Sequence, residues 1–202
     1  MGGNERLRSA LSSGIALVGS STIVAGLIGY VITWLVPRQI GFDKYADFAS
    51  FWAFVFLLVA TLSGIQQEIT RATSRRMPRD NSNRPVWLFA ASISFSSAIC
   101  IVLSALLWVH AVFPQDRWAL VWPLALGTAS YVFVAVVTGT LYGLARWRRL
   151  FAIVVCEALV RLVSVAAAAQ LSSDVTVLAW AIVVPFPITA GLLILASRAP
   201  LF

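Results

Sequence analysis

FASFWAFVFLLVATLSGIQQEIT (residues 48–70) runs directly into RATSRRMPRDNSNR (71–84), a nearly uninterrupted apolar segment followed by five arginines and one acid. A helix rises about 1.5 Å per residue, so about 20 apolar residues cross the roughly 30 Å of bilayer hydrocarbon. The first segment has that length. The arginine block cannot enter hydrocarbon and stays at one interface. Basic residues collect on the cytoplasmic side of membrane helices, so this junction fixes both a span and its direction.

Composition extends the same reading to the whole chain. Of the 202 residues, 60% are hydrophobic and 11% are charged, whereas a soluble domain carries about 25% charge. A soluble globular domain is excluded. The net charge of +7 comes almost wholly from arginine, but no basic groove with interleaved aromatics is present, so nucleic acid is not an expected partner. Cys100 and Cys156 lie inside apolar runs and read as small hydrophobes. With no CxxC pair and one histidine, no metal site is expected. The apolar body after the basic N-terminal head is too long for a signal peptide's h-region of about 7–15 residues and lacks a small-x-small cleavage site. It reads as an uncleaved first span.

Six segments are long enough to cross, near Gly14–Val36, Phe48–Thr70, Val86–Val109, Ala119–Leu144, Leu150–Gln170 and Val175–Ala196. The expected fold is therefore all-α, a polytopic bundle of six transmembrane helices forming one lobe over residues 1–202. Pro37, Pro85 and Pro114 are expected in the loops, and the short joints should make consecutive helices antiparallel neighbours. Arg6 and Arg8 precede the first span, Arg71, Arg75, Arg76, Arg79 and Arg84 follow the second, Arg146, Arg148 and Arg149 follow the fourth, and Arg198 follows the sixth. The alternate loops hold Arg38 with Lys44, then Arg117, then none. Both termini are thus expected in the cytoplasm, with residues 1–13 as a tail and 71–85 as a basic loop. That loop could also attract anionic lipid. Trp34, Trp108, Trp118 and Trp122 fall at the expected outer interface and Trp87 and Trp147 at the inner one, the depth amphipathic rings prefer.

Ionisable groups inside a span are costly and point to function. In the fifth span, Glu157 and Arg161 are one turn apart on one face. They either neutralise each other structurally or face a polar cavity, and Arg161 could instead meet Glu68. The second span ends SGIQQEITRA, where Gly64, Glu68 and Arg71 share a face with Gln67 nearby. These residues either mark the helix leaving the membrane or line the inner mouth of a cavity. Gly139 and Gly143 form a small-xxx-small pair that permits close helix approach. Pro185 and Pro187 should bend the sixth helix, as in the broken helices of transporters. No HExxH, GxSxG, Asp-rich or Walker pattern is present, so neither an enzyme nor a cofactor is expected.

GFDKYADFASFWAFVFLLVATLSGIQQEITRATSRR and TGTLYGLARWRRLFAIVVCEALVRLVSV resemble the N-terminal lobe of the polysaccharide exporters and O-antigen flippases. These belong to the multidrug/oligosaccharidyl-lipid/polysaccharide flippase superfamily. Tyr45 and Phe48 match its Tyr-Gly-x-Phe pattern, with Ala46 in place of glycine. Gly64 and Arg71 fit the following helix, and Gly139, Gly143, Arg146, Glu157 and Arg161 fit the fourth-to-fifth span passage. The resemblance implies a bacterial plasma-membrane protein that moves polysaccharide or lipid-linked oligosaccharide by alternating access. Glu68, Arg71, Glu157, Arg161 and Gln67 would line the cavity. Such exporters have two lobes, so a homodimer, a separate second half or the rest of a longer chain is expected to complete the cavity, unless transport has been lost. A membrane scaffold for polysaccharide-synthesis enzymes and a drug-type exporter of the same superfamily are the alternatives.

Overall fold

The computed structural model describes residues 2–75, 84–113 and 118–197. The elements are α1 (Gly2–Ile40), α2 (Phe42–Arg75), α3 (Arg84–Val112), a 3-10 turn (Trp118–Leu120), α4 (Val121–Gly143), α5 (Trp147–Leu171), α6 (Val175–Val183) and α7 (Pro185–Ser197). No strand occurs among the described residues. Six helical stretches are long and apolar enough to cross a membrane, the last running through α6 and α7. The fold is all-α, as expected, and that of a multi-pass membrane protein.

Several expected boundaries move outward. Residues 2–13 continue α1 rather than forming a tail, and Arg71–Arg75 continue α2 rather than opening a loop. A helix past the hydrocarbon keeps its backbone bonds, so the lipid boundary does not end it. Pro37 lies inside the last turn of α1 instead of in a loop, where its missing N–H costs one bond near a helix end. Pro85 occupies the first turn of α3, a position proline tolerates. Pro114, Arg76, Arg79, Arg117 and Arg198 lie outside the described residues.

The joints are short. Gly41 alone separates α1 from α2, at φ +82°, a left-handed conformation that favours glycine. Its N–H donates to Pro37 O at 3.1 Å. Between α4 and α5, Ala145 N–H donates to Tyr142 O at 3.1 Å and Arg146 N–H to Leu141 O at 2.9 Å. That is the Schellman arrangement, and it puts Ala145 at φ +53°, where glycine is the usual residue.

Short joints make consecutive helices the main partners only in part: α3 and α4 pair as expected, but the two largest contacts join helices that are not consecutive. The most extensive pairings are α2 with α4, α1 with α5, and α3 with α4, while α1 and α2 touch only slightly. Lipid is as apolar as leucine, so close approach at small residues decides who pairs. A Cβ on Gly139 would stand 2.6 Å from Gln66 O, and one on Gly143 would stand 2.6 Å from Thr73 Cβ. Thr70 Oγ1 uses that proximity to approach Gly139 O at 3.1 Å. Gly14 similarly seats the Trp147 ring, joining α1 to α5.

A core of Ile32, Val36, Phe48, Phe51, Val109, Phe113, Leu178 and Ile182 packs the end away from Arg75. Toward the Arg75 end, burial divides into two smaller clusters around Val132 and around Leu150. Leu88, Phe95, Leu103 and Leu107 of α3 stay exposed on the bundle exterior, as lipid-facing side chains must. Serine and threonine within the spans satisfy their hydroxyls on carbonyls one turn back, as Thr22 does on Val18 O and Thr61 on Leu57 O.

Three substitutions test this architecture by thermal unfolding in detergent. Gly139→Ala should cost about 1–3 kcal/mol by forcing α4 from the α2 backbone, while Gly26→Ala, with no atom within 4 Å of its Cβ, should be neutral or slightly stabilising. Ala145→Gly should stabilise by about 1 kcal/mol, because it removes the left-handed penalty.

Candidate functional site

A cavity of about 250 Å³ opens between α2 and α5, floored by α4 and closed at its deep end by the α6–α7 break. Its lining runs from Trp52 and Phe56, in the half of α2 away from Arg75, to Gln66, Tyr142 and Leu150 nearer the arginine-rich end. Helical periodicity supplies the walls. From α5 come Leu150, Val154, Glu157 and Arg161, at positions i, i+4, i+7 and i+11. From α4 come Tyr131, Val134, Thr138 and Tyr142, again one stripe. Trp52, Val55, Phe56, Val59 and Gln66 face them from α2.

Arg161 is the chemical centre. Its Nη2 donates to Glu157 Oε1 at 2.6 Å, and the two side chains are 17% and 16% exposed. Coulomb attraction is strong in so poorly hydrated a place, and the pair offsets the cost of holding either charge. The guanidinium lies over Phe186, 5.0 Å from the ring centroid, and Tyr131 meets the same ring edge-on at 5.4 Å. Tyr131 is also near enough to feel the charges of both Glu157 and Arg161. Arg161 Nε is buried without a hydrogen-bond partner. That N–H is closed off from the cavity, but a guanidinium has five N–H donors and one of them serves Glu157, so the Nη groups retain capacity for an acceptor that enters the cavity.

The structure therefore unites Glu157 and Arg161 with the groove and separates the other expected residues from it. Gln67, Glu68 and Arg71 are exposed and do not line the cavity. The α2 face that meets α4 carries Gln66, Ile69, Thr70 and Thr73. At about 100° per residue, Glu68 and Arg71 fall on the opposite side of that helix. Their shared face with Gly64 is real, but it points away from this groove, and Glu68 is not the partner of Arg161. Gln66 takes the place assigned to Gln67. Gly139 and Gly143 face α2, and Pro185 and Pro187 stand at the break between α6 and α7. Tyr131, Thr138 and Tyr142 had a legible signal, because polar groups spaced i, i+7, i+11 in an apolar span mark one face. Trp52 and Phe56 had none beyond ordinary apolar patterning.

No cluster of three or more histidine, cysteine or acidic side chains that could hold a metal occurs among the described residues. Both cysteines are exposed. What the groove offers is a cation with spare donors, amide and phenol groups, and aromatic faces. That suits binding a polar or anionic group beside apolar surface.

No protein-family profile and no solved structure matches the chain. Among curated proteins it is similar to uncharacterized protein Mb3654 of Mycobacterium bovis, 29% identical over 86% of this chain and 42% of the relative. It is also similar to uncharacterized protein Rv1510 of Mycobacterium tuberculosis, 28% identical over 83% of this chain and 39% of the relative. The chain thus spans about two-fifths of the length of the curated relatives it matches.

Removing one member of the ion pair should cost more than removing both. Arg161→Met should destabilise by about 3 kcal/mol, since it strands a carboxylate, and Glu157→Gln combined with Arg161→Met should recover most of that loss. A thermal-unfolding double-mutant cycle in detergent reads the difference.

Proposed function

We propose that this chain forms one lobe of an alternating-access membrane transporter that moves lipid-linked or polymeric saccharide, of the polysaccharide exporter and flippase type, in a bacterial plasma membrane. The observation that carries the reading is Arg161, a cation ion-paired to Glu157 through one of its donors, lining a mid-span groove with Gln66, Tyr131 and Tyr142. A structural pair alone would need neither the cavity nor the polar stripe of α4. Arginine's planar donors suit phosphate or carboxylate oxygens, and Trp52 and Phe56 offer flat apolar faces for the C–H side of a sugar ring. The broken α6–α7 helix beside the groove is the kind of joint transporters use.

A groove on one lobe is half of a translocation path. The second wall comes from the remainder of a longer polypeptide, in keeping with relatives more than twice as long, or from a second copy related by an axis along the membrane normal. The arginines of the α2 end and of the α4–α5 joint are taken to face the cytoplasm, with both termini on that side. The end of the groove at Gln66, Tyr142 and Leu150 would then lie nearest the side where substrate is made.

The test is reconstitution of the complete polypeptide in vesicles, with a fluorescent polyprenyl-pyrophosphate glycan whose outward movement exposes it to dithionite. Arg161→Ala should lower flipping about a hundredfold, equivalent to losing a charge-assisted hydrogen bond of roughly 2–3 kcal/mol, while the protein still inserts. Arg161→Lys should retain part of the activity. Unaltered flipping in Arg161→Ala would refute the assignment.

A further inference from the structure

Pro185 has no N–H to give the carbonyl one turn earlier, Ala181 O. In hydrocarbon such a carbonyl needs another donor. Ser164 of α5 supplies it, with its Oγ 2.7 Å from Ala181 O. The same hydroxyl lies 3.1 Å from Arg161 O, and with one proton it serves the shorter contact. Three residues earlier on α5, Arg161 rests on Phe186, the residue after Pro185. One turn of α5 therefore grips both sides of the break: Ser164 holds the last turn of α6, and Arg161 holds the first turn of α7. Across the break itself the backbone is joined by Val184 N–H to Trp180 O at 2.9 Å and Ile188 N–H to Val184 O at 3.3 Å, the latter long for its type.

We infer that Ser164 is a positioning residue that couples the Glu157–Arg161 pair to the angle of α7, so that an anionic group drawing Arg161 into the cavity releases Phe186 and lets α7 swing about Val184. Ser164 does not line the cavity and acts through the neighbouring backbone. With Ser164 in place the pivot stays at Val184, because Ala181 O remains tied to α5. Without it, the free carbonyl draws water or distorts α6, and the motion of α7 is no longer transmitted to Arg161. The part of this coupling that concerns transport rests on the function proposed above, whereas the grip itself stands on the hydrogen bond and the ring contact.

The experiment uses the complete polypeptide in lipid nanodiscs, comparing Ser164→Ala with Ser164→Thr, which keeps the hydroxyl. Hydrogen exchange at the Val184, Phe186 and Ile188 amides should rise about tenfold in Ser164→Ala, a change of about 1.4 kcal/mol. Exchange in α2, α3 and α4 should stay unchanged, and Ser164→Thr should restore the slow rate. In the vesicle assay, Ser164→Ala should lower the maximal flipping rate while the half-saturating concentration of the fluorescent glycan stays within twofold. Exchange unchanged at the break, exchange raised throughout the bundle, or no rescue by threonine would overturn the inference. The two readings fail separately. If Arg161→Ala still flips substrate while Ser164→Ala loosens the break, the grip stands and the transport reading falls. If Arg161→Ala abolishes flipping while Ser164→Ala changes neither readout, the grip falls and the transport reading stands.

Discussion

In hydrocarbon a helix gains nothing by exchanging lipid contacts for equally apolar protein contacts, so α4 must be held by close packing and by polar bonds. It is 72% buried over its most apolar window, against 17% for α1, α2 and α5. Glycine admits a neighbour at each of its tight contacts: Gly139 and Gly143 receive α2, and Gly127 receives Val183 of α6. Hydroxyls from the surrounding helices then bond its carbonyls, Thr70 on Gly139 O and Ser94 on Ala129 O. With α4 seated, α2 and α5 stand on either side of it without forming a major contact with each other. The groove is the space left between them.

The same scarcity of polar partners explains what gathers in that space. A lone arginine at mid-span costs about 2.5–3.5 kcal/mol on insertion scales, and pairing with Glu157 one turn away lowers the cost without closing off every donor. Gln66 of α2 and Tyr131, Thr138 and Tyr142 of α4 line the cavity with this pair, while Gln67, Glu68 and Arg71 face outward. The prolines bring a second polar demand to the same depth, and α5 meets both within one turn through Arg161 and Ser164. The chemistry of the lobe is concentrated on one face of α5.

Much of this was legible in the sequence. Span number follows from apolar length alone, and the Glu157–Arg161 contact follows from an i, i+4 spacing that leaves few other rotamers. The break in the last helix follows from proline's missing donor. Pairing order was not legible, because short joints constrain which helices can be neighbours but not which ones approach closely. For the same reason the second helix misled. Its polar residues Gln66, Gln67, Glu68 and Arg71 encircle the helix, and only contact with α4 decides that Gln66 faces the groove. Helix ends were misjudged where helix continues past the apolar run, since backbone bonding does not stop at the lipid boundary. Ser164 looked like any serine in a span, and its partner carbonyl is distant in sequence.

The proposed function requires that the face of α5 bearing Arg161 line a water-reachable cavity inside a membrane-spanning bundle. The direct measurement is labelling by a membrane-impermeant, water-soluble thiol reagent in inside-out native membrane vesicles. Cys100 and Cys156, both on the bundle exterior, are first replaced by alanine. Single cysteines are then placed at Gln66, Thr138 and Val154 along the groove and at Phe95, Ile99 and Leu103 near mid-span on the exposed face of α3. Rapid labelling is expected at the three groove positions and none at the three lipid-facing ones. Equal protection of both sets, or labelling on α3 with none in the groove, would contradict it.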